Sequence, residues 1–192
     1  MEIRNAALSD IAQITEIYNS IVLNSTAIYN DRCATAEERT EWWVRRVEHG
    51  FPVIVAVEGS SVLGYGSLGE FRSWPGYRFT VEVTVHIRED SRGRGIGKLL
   101  LAELITRARA MGKHVVVAGV DSGNEASLRF LERRGFVHAG QLKEVGYKFG
   151  RFLHLNLLQY WLTDPGSAPP TSGLSSKPKA PLEGDVNSCG ST

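Results

Sequence analysis

Cysteine is nearly absent from the 192 residues: only Cys33 and Cys189 occur, far apart and without the short spacing that a metal site or a disulfide framework requires. The chain is therefore expected to work in a reducing compartment, the cytoplasm. An excess of one charge is also missing. The 22 Lys and Arg stand against 21 Asp and Glu, leaving a formal net charge of +1. Nothing in that balance calls for nucleic acid or an anionic membrane, and any basic site must be local. Long apolar runs are lacking too. "VIVAV" and "VVVAGV" have strand length and fall far short of the ~20 residues that cross a bilayer. The opening "MEIRNAALSDIAQ" has no basic stretch followed by an apolar one, so no secretory signal is expected. No cluster of His, Cys and carboxylates has ligand spacing, so no metal is expected either.

What is present falls into two compositional regions. After Leu162, half of the thirty residues from Thr163 to Thr192 are Pro, Gly or Ser, and the only large apolar side chains are Leu174, Leu182 and Val186. Such a segment cannot bury enough surface to offset its ordering entropy, so 163–192 is expected to be a disordered tail. Residues 1–162 are expected to form one domain of alternating strands and helices. "MEIRNA" reads as a strand, and Ser9 as the cap of a helix carrying Ile11, Ile14, Ile17, Tyr18 and Ile21 on one face. Thr35 and Glu38 make a capping-box pair for a helix running to Gly50. Three strands follow, "FPVIVAVE", "VLGYGSLGEF" and "RFTVEVTVHI". A helix from about Gly95 to Met111, a strand "KHVVVAGV", a helix "NEASLRFLERR" and two last strands complete the order β α α β β β α β α β β. That order predicts an α/β (α+β) fold with a mixed, mostly antiparallel sheet flanked by helices.

Chemistry concentrates in "SRGRGIGK", residues 91–98, at the start of the third helix. Backbone N–H groups at a helix N-terminus, freed by glycine to approach a ligand, favour phosphate. A nucleoside triphosphate loop is excluded: its first glycine would fall on Arg92, and Leu99 stands where a magnesium-binding hydroxyl belongs. A dinucleotide fingerprint is excluded because Gly93, Gly95 and Gly97 are followed by Lys98 where the third glycine of that motif belongs. The remaining spacing, Arg92-x-x-Gly95-x-Gly97, preceded by "VEVTVHI", resembles the pyrophosphate loop [QR]-x-x-G-x-[GA] of the GNAT superfamily of acyl-CoA-dependent N-acetyltransferases. "NEASLRFLERRGF" resembles the helix that follows that loop in many members.

The resemblance implies acetyl-CoA as cosubstrate, held by Gly93, Arg94, Gly95, Ile96, Gly97 and Lys98, by the strand residues Val85, His86 and Ile87, and by Asn124 and Arg133. Asn124 also reads as an ordinary helix N-cap. Backbone N–H groups along Val85, His86 and Ile87 are the donors expected to face the negative charge that develops on the acetyl oxygen. Where many members carry a Tyr or His able to protonate the departing thiolate, this chain has Leu131, and no general acid is assigned.

Over Met1 to Leu162, "NSTAIYNDR", "FRSWPGYRFTVEVTVHI" and "LKEVGYKFGRFLHLNLLQ" resemble the phosphinothricin and methionine sulfoximine N-acetyltransferase group, whose members are usually homodimers. An ammonium must lose a proton before it attacks a thioester, so a base is needed near the acceptor. In "TVEVTV" the valines share one face while Glu82, Thr84 and His86 share the other. Glu82 is the candidate base, which by resemblance is also where the group's base falls. His86 is the rival, its ordinary pKa being nearer neutrality. The acceptor carboxylate asks for a cation or amides, and Arg72 and Arg78 flank the loop before this strand. By resemblance Arg72, Ser73 and Trp74 with Glu82, Val83 and Thr84 line the acceptor pocket, with Tyr29 closing it. The expected function is acetyl transfer to the α-amine of a small amino acid or analogue. The alternatives are a transferase for protein N-termini or another amine, and a non-catalytic acyl-CoA-binding module.

Overall fold

The computed structural model describes residues 1–168. Most of the expected tail, 169–192, lies outside the described residues. The elements follow the predicted order: β1 Glu2–Asn5, α1 Ile11–Asn24, α2 Ala36–Glu48, β2 Val53–Glu58, β3 Ser61–Glu70, β4 Thr80–Ile87, α3 Ile96–Ala110, β5 Val115–Asp121, α4 Glu125–Glu132, β6 Val137–Lys148 and β7 Arg151–Trp161. They form one seven-stranded sheet in the order β1-β2-β3-β4-β5-β7-β6. Every neighbouring pair is antiparallel except β4 and β5.

Strand alternation divides the core between the two faces of the sheet. Ile54, Ala56, Leu63, Val81 and Val83 pack with Leu100, Leu101 and Leu104 of α3. Val53, Val55, Val57, Val62 and Tyr65 pack with Ile11, Ile14, Ile17 and Ile21 of α1, joined by Trp42 and Trp43 of α2. β2 contributes to both cores, which is why it reads as the unbroken run "VIVAV" rather than as an alternation. Each such buried Val, Leu or Ile contributes about 1.5–3 kcal/mol before entropy is counted.

One predicted helix start is corrected. Ser9 does not cap α1; it sits inside a 3-10 turn, Leu8–Asp10, that precedes it. The reason is Asp10, whose carboxylate accepts from the Ala7 N–H at 2.8 Å and from both terminal nitrogens of Arg4 at 2.6 and 2.9 Å. That pairing fixes the turn one residue later than a Ser9 cap would. The second helix starts as predicted, with the Glu38 N–H donating to Thr35 Oγ1 at 3.2 Å and the Thr35 N–H to Glu38 Oε2 at 2.9 Å. α3 ends at Ala110, with Met111 as its C-cap, and the φ of 66° at Gly112 then lets the chain reverse.

The feature that positions the site is a divergence. β4 and β5 pair only at Thr80↔Val115, Val81↔Val116 and Glu82↔Val117. Beyond that rung β4 continues against β3 as far as Gly64↔Ile87, and β5 continues against β7 as far as Asp121↔Leu155. The sheet therefore stays whole at its base and opens into a V above Glu82.

Candidate active site

A cavity of about 910 Å³ fills the V. Because β4 alternates, its residues divide the cavity into two walls. Val83, Val85 and Ile87 face α3 and α4, where Gly97, Ser127, Phe130 and Leu131 complete one wall. Glu82, Thr84 and His86 face the other way, toward Tyr18 of α1, Arg39, Trp42 and Arg46 of α2, and Tyr65 of β3.

The first wall is made largely of backbone. Gly95 forms the N-cap of α3 at φ 79°, and Gly93 has φ 77°, both in the left-handed region where a side chain is strained. A Cβ at either would meet nothing within 4 Å, so glycine is needed for conformation while the side facing the loop stays open. The Lys98 and Leu99 N–H groups both turn back to the Gly95 carbonyl, and the N–H groups of the preceding first turn have no intrahelical acceptor. The edge of β4 from Val83 to Ile87 has no ladder partner on the β5 side. Asn124 caps α4 by accepting from the Ser127 N–H at 3.1 Å, which leaves its amide NH2 free at the cavity margin. Its two readings, cap and cavity residue, thus coincide.

The predicted donor-side residues do not all converge. Val85, His86, Ile87, Gly97 and Asn124 line the cavity, and Arg92, the first residue of the loop motif, joins them. The Arg94 side chain pairs with Glu58 at 3.0 Å, Ile96 is buried in the core, and Lys98 is exposed. Arg133 is exposed at the C-terminal end of α4, away from the cavity lining.

The second wall is made of side chains. Glu82 sits at the last rung of the β4–β5 ladder, and Gly119 of β5 gives its carboxylate room: a Cβ there would lie 3.6 Å from Glu82 Oε1. The walls around it push the Glu82 carboxyl above the usual carboxylate range, while the guanidiniums of Arg46 and Arg72 pull it back. His86 packs edge-on to Tyr65, ring centroids 5.3 Å apart. Burial, with Arg39 adding to it, pushes the imidazole down to about 4, so it is neutral at neutral pH and a much weaker base than its ordinary pKa promised.

Sequence reading missed α2. Arg39 is only 7% exposed, its guanidinium carbon lying 3.8 Å from the Trp42 ring centroid and 4.3 Å from that of Tyr18. Arg46 donates to the Leu68 carbonyl at 3.1 Å and fills the space a side chain at Gly69 would need. Arg39, Trp42 and Arg46 recur at helical spacing and so share one face of α2, but that spacing does not say what the face meets.

Of the predicted acceptor residues, Val83 and Thr84 line the cavity with Glu82. Arg72 is exposed and near enough to Glu82 to act on its charge, while its guanidinium stacks on Phe71 at 4.4 Å. Ser73 and Trp74 stand outward on the loop, Trp74 being 74% exposed. Arg78 stacks on Phe79 and donates to the Pro75 carbonyl, within the same loop. Tyr29 stands behind the cavity, its hydroxyl donating toward Asp121 Oδ1 at 3.4 Å and the His154 carbonyl at 3.3 Å. There Asp121 also accepts from Thr26 Oγ1 at 2.5 Å.

A splayed parallel pair, a glycine-shaped helix start on one wall and the Glu82 carboxylate on the other suit a group-transfer enzyme that brings a diphosphate-bearing donor to a small acceptor across an open sheet. Residues 14–136 match the Acetyltransferase (GNAT) family, to which the chain belongs, and it is an acetyl-CoA-dependent N-acetyltransferase. It is 46% identical over 164 residues to an L-methionine sulfoximine/L-methionine sulfone acetyltransferase of Salmonella typhimurium, covering 85% of this chain and 96% of that protein. A phosphinothricin acetyltransferase of Sinorhizobium meliloti, solved in complex with acetyl-CoA, superposes with a TM-score of 0.86 at 33% identity over 90% of this chain and 94% of that one. A structure described as a ribosomal-protein-alanine N-acetyltransferase of Brucella melitensis superposes with a TM-score of 0.82 at 42% identity, over 84% and 99%. Among the described residues no helix is long and apolar enough to cross a membrane.

Proposed function

We propose that the enzyme acetylates the α-amine of a small L-amino acid or analogue, of the methionine sulfoximine, methionine sulfone or phosphinothricin kind, in the cytoplasm. The observation that carries this reading is the position of Glu82, at the apex of the V and on the acceptor wall. The free first-turn N–H groups, Gly93, Gly95 and the unpaired edge of β4 suit the pyrophosphate and pantetheine of acetyl-CoA, which supplies the activated thioester. Glu82 takes the proton of the acceptor ammonium, directly or through water, leaving a neutral amine aimed at the apex. N–H groups on the free edge of β4 are the donors for negative charge gathering on the acetyl oxygen. Arg72 meets the acceptor carboxylate at the mouth, with Ser73 and Trp74 beside it.

The same reading includes a homodimer. Val145, Tyr147, Phe149 and Phe152 leave apolar surface exposed on the β6–β7 hairpin. Phe149, 58% exposed, also borders the cavity, so a second copy covering this hairpin would help to close the acceptor pocket.

A second reading, acetylation of a protein N-terminal amine, is favoured by the name of the Brucella structure. Release of CoA thiol from acetyl-CoA against a panel of amines separates the two. Turnover with methionine sulfone, methionine sulfoximine and phosphinothricin, and none with alanine-leading peptides, is the expected result. The reverse pattern replaces the first reading with the second. Tight acetyl-CoA binding without turnover of any amine would leave a binding module.

A further inference from the structure

We propose that Arg39 is a specificity anchor of the acceptor pocket, its guanidinium receiving the oxygen-bearing side-chain group, S=O or P–O, of the amino acid whose α-amine faces Glu82. The inference rests on the amino-acid reading above and adds to it the residue that selects among amino acids.

Three observations lead there. Arg39 is a cation with nine-tenths of its surface hidden, yet among the described residues no carboxylate or carbonyl pairs with it, and its Nε–H has no acceptor at all. Burying an unpaired charge is costly, so such a group calls for an explanation, and a ligand that completes it is one. The guanidinium packs against the rings of both Tyr18 and Trp42. Stacking offsets part of the burial but leaves the N–H edge unsatisfied, because ring faces accept charge and not a planar fork of hydrogen bonds. Arg39 is also part of the acceptor wall, and its two terminal nitrogens, which like Nε have no protein acceptor among the described residues but unlike Nε are not sealed off, are the part that opens on the cavity.

Its place along α2 says which end of the acceptor it meets. Arg46 lies close enough to Glu82 for each to shift the other's ionisation, so the cation nearest the amine end already has a partner. Arg39 is two helical turns earlier, about 10 Å along the axis at 1.5 Å per residue. It lies beside Tyr65 and His86, four residues along β4 from Glu82, and is more buried than Arg46. An amino acid held by its amine at Glu82 and its carboxylate at the mouth points its side chain inward, toward Arg39. Sulfone, sulfoximine and phosphinate groups put strongly polarised oxygens several bonds from the amine, a match for a guanidinium fork.

The test compares the unmodified enzyme with Arg39→Gln and Arg39→Lys on methionine sulfone, phosphinothricin and norleucine, which has a similar shape without the oxygens. For Arg39→Gln the KM for the sulfone and phosphinothricin is expected to rise roughly 10- to 100-fold, the worth of a hydrogen bond to a charged group. The KM for norleucine and for acetyl-CoA should stay within about threefold, and Arg39→Lys should recover part of the loss because it keeps the charge without the fork. An equal rise for norleucine overturns the proposal by assigning Arg39 to the carboxylate or to the fold. A rise confined to acetyl-CoA overturns it in favour of the donor. Turnover of all three acceptors with unchanged KM in both variants overturns it while leaving the amino-acid reading intact. No turnover of any α-amino acid by the unmodified enzyme overturns both.

Discussion

The donor wall of the cavity is built from backbone: two glycines in the left-handed region, the unpaired N–H groups of the first turn of α3, and a strand edge without a neighbour. The acceptor wall opposite is built from side chains on α1, α2, β3, β4 and β5, with Glu82, Arg39, Arg46 and Asp121 among its charges. Backbone recognition constrains few residue identities but fixes a short motif, because only glycine reaches the required φ. Side-chain recognition spreads its residues over distant segments and leaves no motif. The first wall is suited to a ligand common to the whole family, and the second to whatever distinguishes one acceptor from another.

The sharpest break of that comparison is Glu82→Gln. It removes the acceptor wall's carboxylate and leaves the donor wall untouched, so acetyl transfer should fall by ~10²-fold or more while acetyl-CoA affinity, measured by calorimetry, stays the same. Unchanged turnover would take Glu82 out of the mechanism. The pH profile gives a second readout. The Glu82 pKa is raised, so its basic form is present only above a value higher than that of an ordinary carboxylate. Activity of the unmodified enzyme should therefore decline as pH falls through that raised value, and the limb should vanish in Glu82→Gln. His86 adds no limb near neutrality, since it is already neutral above about 4.

The complementary break is Gly95→Ala. Holding alanine at φ 79° costs about 1–2 kcal/mol. The result expected is a roughly 10-fold rise in the KM for acetyl-CoA with the acceptor KM unchanged. An equal rise for both substrates would mean that the two walls are not independent.

The same contrast explains what the sequence disclosed. The element order, the loop at 91–98 and the strand alternation around Glu82 are local patterns, and each is found in the structure where the pattern puts it. The direction in which Val81 and Val83 face the α3 core follows from a period of two. Arg39 and Arg46 were not legible because their role depends on which helix face meets the open V, a tertiary fact that no spacing within α2 encodes. Ser9 was misread for a related reason: Arg4, six residues from Asp10 and in another element, decides where the turn is tied. Tyr29 and Trp74 were assigned by resemblance, and in the single chain they stand outside the cavity lining.

The mildest test sharpens the comparison from the fold side. Thr35 caps α2 four residues before Arg39, and its hydroxyl satisfies the Glu38 N–H that the helix itself cannot. Replacing it with alanine removes that bond at a cost of about 1 kcal/mol, which for a domain of this size lowers the melting temperature by roughly 2–4 °C. α2 contributes only Arg39 to the buried set, so little packing resists fraying of its first turn. The loss should therefore reach the acceptor wall as well, as a rise in acceptor KM of about fivefold at most, with the KM for acetyl-CoA unmoved because α3 and β4 are anchored in the other core. A lower melting temperature with no change in either KM would show that Arg39 is held by Tyr18 and Trp42 alone. A matching rise in both would show that the two cores communicate through the sheet.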